Sequence, residues 1–191
     1  MSDKIRTFIA IELDKQTQES LAKIQNELKA SGSDVKWVEP KNIHLTLKFL
    51  GDIETDLIPK IKNMLEDLSK NHNKFSAAIK ELGAFPNARS PRVIWVGIEA
   101  GKENSVSIAN DLDNNLSKLG IPKEERDFVP HLTLGRVKRP INRFKLSELI
   151  NKNKDISDLN FVADRITLFK STLTPKGPIY EAMVEVNLKE S

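Results

Sequence analysis

A four-residue word, His-Leu-Thr-Leu, occurs twice in this chain, at 44–47 and again at 131–134. The chain has three histidines, and two of them open these words. Imidazole titrates near neutral pH, so it can act as a general base when neutral and as a general acid when charged. Two such groups can take one proton and give another in a single reaction. A hydroxyl two residues away can donate a hydrogen bond to an anionic oxygen.

This pattern suits the cleavage of a phosphodiester without a metal ion. One of His44 and His131 would deprotonate the attacking water, and the other would protonate the leaving oxygen. Thr46 and Thr133 would hold the non-bridging phosphate oxygens. The symmetry of the two words does not say which histidine plays which part.

Metal-based catalysis is the main chemical alternative. Two histidines supply two ligands, whereas catalytic zinc usually takes three from the protein, so a carboxylate such as Asp52 would have to complete the site. The third histidine, His72, lies in the segment Asn-His-Asn-Lys, which is typical of a solvated surface residue. The chain has no P-loop, no GxGxxG and no GxSxG motif, and such motifs would indicate nucleotide cofactors or a serine nucleophile. We therefore expect no metal ion and no cofactor.

The composition excludes several classes of function. None of the 191 residues is cysteine, which excludes disulfides, thiolate catalysis and cysteine-ligated metal centres. A net charge of +3 is too small for a protein that coats nucleic acid. The apolar stretch 8–11 is too short for a signal peptide, and no apolar run is long enough to span a membrane. We therefore expect a cytoplasmic protein that does not bind membranes.

Positive charge is concentrated directly after the second word. Within ten residues lie five basic side chains: Arg136, Lys138, Arg139, Arg143 and Lys145. Such a cluster is either a solvated loop or an anion-binding rim. The cluster taken alone favours the solvated loop, and its position beside the repeated word supports the rim as the alternative.

The elements that would position these residues also repeat. Apolar spacing predicts strands at 5–13, 44–50, 75–85, 92–99, 131–137, 161–171 and 179–188. It predicts helices at 15–30, 57–70, 104–119 and 145–151. The order strand, helix, HLTL strand, helix, strand thus occurs at 5–85 and again at 92–171, before the closing strand. We expect one domain over 1–191, with two lobes related by a pseudo-twofold axis and loop 86–92 crossing between them.

Strand alternation assigns the side chains of the two words to faces. His44 and Thr46 would face the space between the lobes, and Leu45, Leu47 and Phe49 would face the opposite way under the helices. The second word repeats this arrangement. Arg136 lies two residues after Leu134, so alternation puts it on the face of the leucines. It would reach the cleft only if the strand twists or ends there.

Over nearly its whole length the chain resembles a known family, the two-histidine (2H) phosphoesterases, and within it the LigT-type RNA 2′,3′-cyclic phosphodiesterases, once described as 2′-5′ RNA ligases. The resemblance rests on the stretches FIAIEL, NIHLTLKFLGD, FPNARSPRVIWVGI, FVPHLTLGRVKR and LFKSTLTPKGPIYE. It implies an α+β fold with mainly antiparallel sheets flanking a cleft and helices outside. It also implies that His44 is the proton donor, that His131 is the acceptor that activates water, and that Thr46 and Thr133 bind phosphate.

Further substrate contacts are candidates of a weaker kind. Arg136 and Lys138 lie just past the second word and could bind phosphate. Aromatic residues at such positions more often belong to the core, but four of them could stack on a base, as is usual for single-stranded RNA: Phe8, Trp37, Phe128 and Tyr180. Tyr180 is the best of them, because its segment resembles the closing segment of the family.

The resemblance implies a metal-independent hydrolase that converts RNA 2′,3′-cyclic phosphate ends, or a small cyclic nucleotide, to the 2′-phosphate. We expect it to act as a monomer. Reversible 2′-5′ ligation would be a side activity that depends on the strain of the cyclic phosphate. The alternative is a non-catalytic module that binds nucleotides or RNA ends.

Overall fold

The computed structural model describes residues 3–139, 141–175 and 177–190. Within them the chain forms nine strands: β1 (Lys4–Glu12), β2 (Asp34–Trp37), β3 (His44–Glu54), β4 (Phe75–Phe85), β5 (Val93–Ile98), β6 (His131–Arg139), β7 (Asp155–Ala163), β8 (Arg165–Thr174) and β9 (Gly177–Asn187). The α-helices are α1 (Lys15–Lys29), α2 (Ile58–Ser69), α3 (Lys102–Lys118) and α4 (Arg143–Lys152). The predicted α+β class is confirmed.

The strands form one sheet of two halves, and neighbouring strands in it pair antiparallel. Their order is β7-β4-β5-β6-β3-β1-β8-β9, and β2 pairs with β6 beside this path. The order reads equivalently from either end, because β6, β5 and β4 in one half correspond to β3, β1 and β8 in the other. A pseudo-twofold axis therefore passes between the two HLTL strands, β3 and β6, as the sequence repeat predicts.

The two halves exchange strands. The last strand of the first repeat, β4, pairs with the first strand of the second repeat, β5. Correspondingly, β8 of the second repeat pairs with β1 of the first. Each half of the sheet therefore contains strands from both repeats. The polypeptide passes from one half to the other at several points, and these connections link the halves.

The two faces of the sheet differ. The main core lies on one face, where the HLTL leucines pack with the buried stripes of the helices; its members include Leu45, Leu132, Leu21, Ile61, Leu112 and Leu146. On this face α1 packs against α4, and α2 against α3. The other face carries a small separate cluster made by Phe8, Ala10, Phe169 and Tyr180. The helices thus lie outside, and the face with the aromatic cluster is left for a cleft.

Several predicted boundaries were wrong. Gly51 does not end β3: its φ of +71° lies in the left-handed region that glycine favours, and the strand continues to Glu54 past this irregularity. The single strand predicted at 161–171 is two, β7 and β8. Strand β2 was not predicted, because its four residues gain their pairing from a distant partner.

The loop at 86–92 also has a different role from the one predicted. It joins β4 to β5, which are antiparallel neighbours in the same half, so it closes a hairpin rather than crossing between lobes. The chain changes halves instead between β1 and β2, between β2 and β3, between β3 and β4, and between β7 and β8.

None of the helices in the described part of the chain combines the length and the apolar character that crossing a membrane would require.

Candidate active site

The two HLTL strands meet at a single point. Leu45 pairs with Leu132, and beyond this pair the strands diverge toward different neighbours. Each of these leucines is flanked by the polar residues of its own word, His44 and Thr46 on β3 and His131 and Thr133 on β6. All four leucines of the words are buried, each less than 5% exposed. The alternation predicted for the two words is therefore what the structure has, with the histidines and threonines on the open face.

Both imidazoles are held in the same way. The Nδ1 atom of His44 lies 2.7 Å from the carbonyl oxygen of Asn42, and Nδ1 of His131 lies 2.7 Å from the carbonyl oxygen of Val129. A carbonyl oxygen only accepts, so each Nδ1 carries the hydrogen. This leaves Nε2 of each ring as the atom free for proton transfer. The contact to the residue two positions earlier in both copies shows that the symmetry extends to ring orientation.

Aromatic rings surround His44. Its ring stacks on Phe8 at a centroid distance of 4.8 Å and meets Tyr180 edge-on at 5.4 Å. Phe169 lies behind Phe8, at 5.1 Å from it. Burial by these apolar groups lowers the pKa of His44 to about 4, against a smaller opposing effect of the hydrogen bond to Asn42. In the free protein His44 is therefore neutral at pH 7.

The surroundings of His131 are less aromatic. Phe85 meets its ring edge-on at 5.2 Å, and Trp95 lies 5.0 Å from Phe85. Trp95 packs flat against the sheet because Gly83 and Gly97 have no side chains that would occupy its place. The two histidines are thus equivalent in backbone contacts but different in environment.

A β-bulge falls on the last residue of each HLTL word. Ile9 pairs with Lys48 and Ala10 with Thr46, so Leu47 has no partner on β1. In the second copy, Ile94 pairs with Gly135 and Trp95 with Thr133, so Leu134 has no partner on β5. An extra residue reverses the alternation of the strand beyond it.

The bulges change which side chains face the cleft. Phe49, which we predicted on the buried face, is 58% exposed and lies in the wall of the cleft cavity. Arg136, its counterpart in the second copy, reaches the same cavity for the same reason. The prediction for Phe49 was wrong because simple alternation ignores the bulge.

The cleft contains a cavity of about 380 Å³. Its wall includes His44, Thr46 and Thr133 together with Arg136 and Tyr180. Two of the other aromatic candidates, Phe8 and Trp37, also line it. Phe128 does not; it packs against the main core. His131 lies across the strand crossing, outside the residues that line this cavity, and Lys138 is exposed on β6 beyond it.

Three cations lie in the cavity wall: Arg6, Lys36 and Arg136. None of them forms an ion pair within the described ranges. The phenol of Tyr180 lies close enough to feel two of these charges: burial raises its pKa, and Arg136 and Arg6 partly oppose that rise. Sequence reasoning missed Arg6, Lys36 and Phe49. For Phe49 a signal existed, since it stands five residues after His44 as Arg136 does after His131.

The described residues contain no group of three or more histidine, cysteine, aspartate or glutamate side chains placed to hold a metal ion. Asp52, the carboxylate considered from the sequence, pairs across the sheet with Arg6 at the far end of β3 from His44. His72 lies outside the cleft, with its Nε2 2.8 Å from Oδ2 of Asp111.

The chain is similar over most of its length to a known protein family, to named relatives and to a solved structure. The model of the LigT-like phosphoesterase family matches residues 11–95 and again 96–180. A protein of Methanocaldococcus jannaschii named RNA 2′,3′-cyclic phosphodiesterase is 44% identical, over 95% of this chain and 99% of its own length. One of the same name from Methanothermobacter thermautotrophicus is 41% identical, over 94% and 97%. A crystal structure of a Thermus thermophilus protein superposes with a TM-score of 0.81 at 28% identity, covering 96% of this chain and 97% of that one.

Proposed function

The chain belongs to the LigT-like phosphoesterases, and from this membership we propose that it hydrolyses RNA 2′,3′-cyclic phosphate ends to the 2′-phosphate. The observation that carries the proposal is the crossing of β3 and β6. It brings the two His-x-Thr pairs next to each other, and each imidazole has its Nδ1 held by a carbonyl 2.7 Å away. A phosphate bound by Thr46 and Thr133 would have an Nε2 atom on either side.

In this mechanism His131 acts as the general base. Its Nε2 takes a proton from water, and the water oxygen forms a new bond to phosphorus. The bond between phosphorus and the 3′ oxygen breaks, and His44 gives that oxygen a proton from its own Nε2. The threonine hydroxyls and the Arg136 guanidinium stabilise the negative charge on the non-bridging oxygens. His131 gains one proton in this reaction and His44 loses one. Proton exchange with solvent then returns both histidines to their starting charge.

The environment of His44 adds a requirement. A proton donor must be charged, and His44 is neutral in the free protein because its pKa is about 4. The anionic cyclic phosphate supplies the opposite charge that raises this pKa when it binds. Substrate binding and protonation of His44 are therefore coupled, which keeps the donor uncharged until a phosphate is in place.

We also propose that residues 1–191 act together as one bilobal domain, as a cytoplasmic monomer. Tyr180 belongs to the substrate site through its place in the cavity wall beside His44. Lys138 remains a candidate only for a part of the RNA that extends beyond the cavity.

The test is the identity of the product. Pure protein is incubated with a short RNA ending in a 2′,3′-cyclic phosphate, and the product is identified by phosphorus NMR. A 2′-phosphate is expected. A 3′-phosphate would overturn the proposed leaving group. Binding of the RNA end without turnover would favour the non-catalytic module instead, and a 2′-5′ linkage formed with an added 5′-hydroxyl RNA would reveal ligation.

A further inference from the structure

The charge of the cavity exceeds what the proposed reaction needs. A 2′,3′-cyclic phosphate is a diester and carries one negative charge, which Arg136 can match. The wall also carries Arg6 and Lys36. Its carboxylate Glu39 is already paired, with Oε2 3.2 Å from Nζ of Lys41. Two cations therefore face the cavity with no partner among the described residues.

Lys36 has a fixed position relative to Arg136, the cation assigned to the reacting phosphate. It is the register partner of Arg136 on the neighbouring strand β2, so the two Cα atoms lie about 5 Å apart. Its backbone is held because Gly135, which follows the unpaired Leu134, lets β2 approach closely: a Cβ there would lie 2.7 Å from Val35 and 3.0 Å from Trp37. A second cation, Lys36, thus lies beside Arg136, the cation assigned to the cyclic phosphate.

Aromatic groups accompany these cations. Trp37 follows Lys36 directly and lines the cavity with Tyr180 and the exposed ring of Phe49. Cations that track a phosphate backbone and aromatic rings on which bases stack are the combination by which single-stranded nucleic acid is held.

We infer that Lys36 binds the first phosphodiester upstream of the cyclic end, and that Arg6 supplies a second positive charge to the same strand. This inference rests on the proposed function and assigns to it a residue that distinguishes a chain end from a free cyclic mononucleotide. Lys36 is then a residue that determines specificity, because it acts on a group that a mononucleotide lacks.

The experiment compares two dinucleotides that share the same 2′,3′-cyclic end. One has an ordinary phosphodiester linkage, and the other has a neutral methylphosphonate linkage of the same shape. Wild-type protein should hydrolyse the charged dinucleotide with a kcat/KM about 3- to 5-fold higher, the upper part of the range for one exposed charge contact. In Lys36→Gln that ratio should fall to within about 2-fold of one. Lys60→Gln, which changes an exposed lysine of α2 on the helical side, should keep the wild-type ratio.

Salt gives a second readout. Each single-strand phosphate contact contributes about 0.7 to the slope of log kcat/KM against log salt, so Lys36→Gln should lower the slope for the charged dinucleotide by about that amount. Equal turnover of the two linkages by the wild type, or an unchanged ratio in Lys36→Gln, would overturn the inference while leaving the proposed function in place. Failure to hydrolyse either dinucleotide would overturn the proposed function, and this inference with it.

Discussion

Leu45 pairs with Leu132 where β3 and β6 cross, and this one contact fixes the relative position of both His-x-Thr pairs. Neither leucine touches the cleft, since both are fully buried on the helical face. Because side chains alternate, burying these two residues forces their neighbours His44, Thr46, His131 and Thr133 to the other face. The hydrophobic core thus aligns the polar site, and each word needs its leucines as much as its polar residues.

Substrate binding should take up a proton at pH 7. His44 is neutral in the free protein because its folded pKa is about 4, and an adjacent phosphate anion raises that pKa. The binding of uridine 2′,3′-cyclic phosphate to the His131→Ala variant, measured by calorimetry in buffers of different ionisation enthalpy, should give uptake of up to about one proton. The ligand does not itself titrate near pH 7. The double variant that also lacks His44 should show no uptake, and absence of uptake in the single variant would contradict the coupling.

Removal of metal ions should not affect turnover. The proposed reaction uses imidazole and hydroxyl groups alone, so the rate of cyclic phosphate hydrolysis should be the same in excess EDTA as in untreated buffer. Rates are compared after exhaustive dialysis against the chelator. Full loss of activity that a single metal ion restores would be incompatible with a mechanism carried by His44 and His131.

Arg136 and Lys138 are cations two residues apart on β6 that the structure places differently. Arg136 reaches the cavity because of the bulge at Leu134, whereas Lys138 lies beyond the cavity. Arg136→Gln should lower kcat/KM for a cyclic mononucleotide by about 10-fold or more, since it removes a charged donor from the phosphate. Lys138→Gln should change it by less than about 2-fold. Equal effects of the two substitutions would mean that the bulge does not select the phosphate ligand.

Lys48, which follows the unpaired Leu47 of the first copy, is expected to matter for stability. Its side chain is 2% exposed, and its Nζ lies 2.7 Å from Oδ1 of Asp113 and 2.8 Å from the carbonyl oxygen of Pro122. It ties β3 to the segment that leads into the second HLTL word. Lys48→Met leaves Asp113 without its counter-charge and should lower the free energy of unfolding by about 2–3 kcal/mol, less than for a fully enclosed pair because Asp113 is partly exposed.

The same pair should make stability depend on pH. Burial tends to raise the pKa of Asp113, but the hydrogen bonds from Lys48 and from the Glu124 amide outweigh it and hold the pKa below its usual value. A lowered folded pKa means that the stabilisation is complete above the unfolded pKa of about 3.9 and is lost as the pH falls through the folded value. Urea denaturation at pH 7 and pH 3 should therefore separate wild type from Lys48→Met most at pH 7. Lys62→Met, which removes an exposed lysine 3.8 Å from Glu66, serves as the control. A urea denaturation midpoint of Lys48→Met equal to that of the wild type would contradict this account.

Much of the site could be read from the sequence, because the features that define it are local. The repeated word gave the two histidines and the two threonines, and alternation gave their faces. Alternation did not predict that Phe49 and Arg136 face the cleft. A bulge depends on how two strands pair, and the alternation of side chains along one strand does not show it. The exchange of β4 and β8 between the halves depends on pairing between distant segments, and so does β2, which brings Lys36 to the cavity.

The most direct test of the two-histidine mechanism is a comparison of three alanine substitutions. His44→Ala and His131→Ala should each lower the turnover of an RNA 2′,3′-cyclic phosphate by about 10²-fold or more, with circular dichroism and denaturation midpoints that show intact folding. His72→Ala, which removes the histidine paired with Asp111 outside the cleft, should retain the wild-type rate. Near-wild-type rates in a folded His44→Ala or His131→Ala protein would contradict the central claim that these two imidazoles carry the proton transfers.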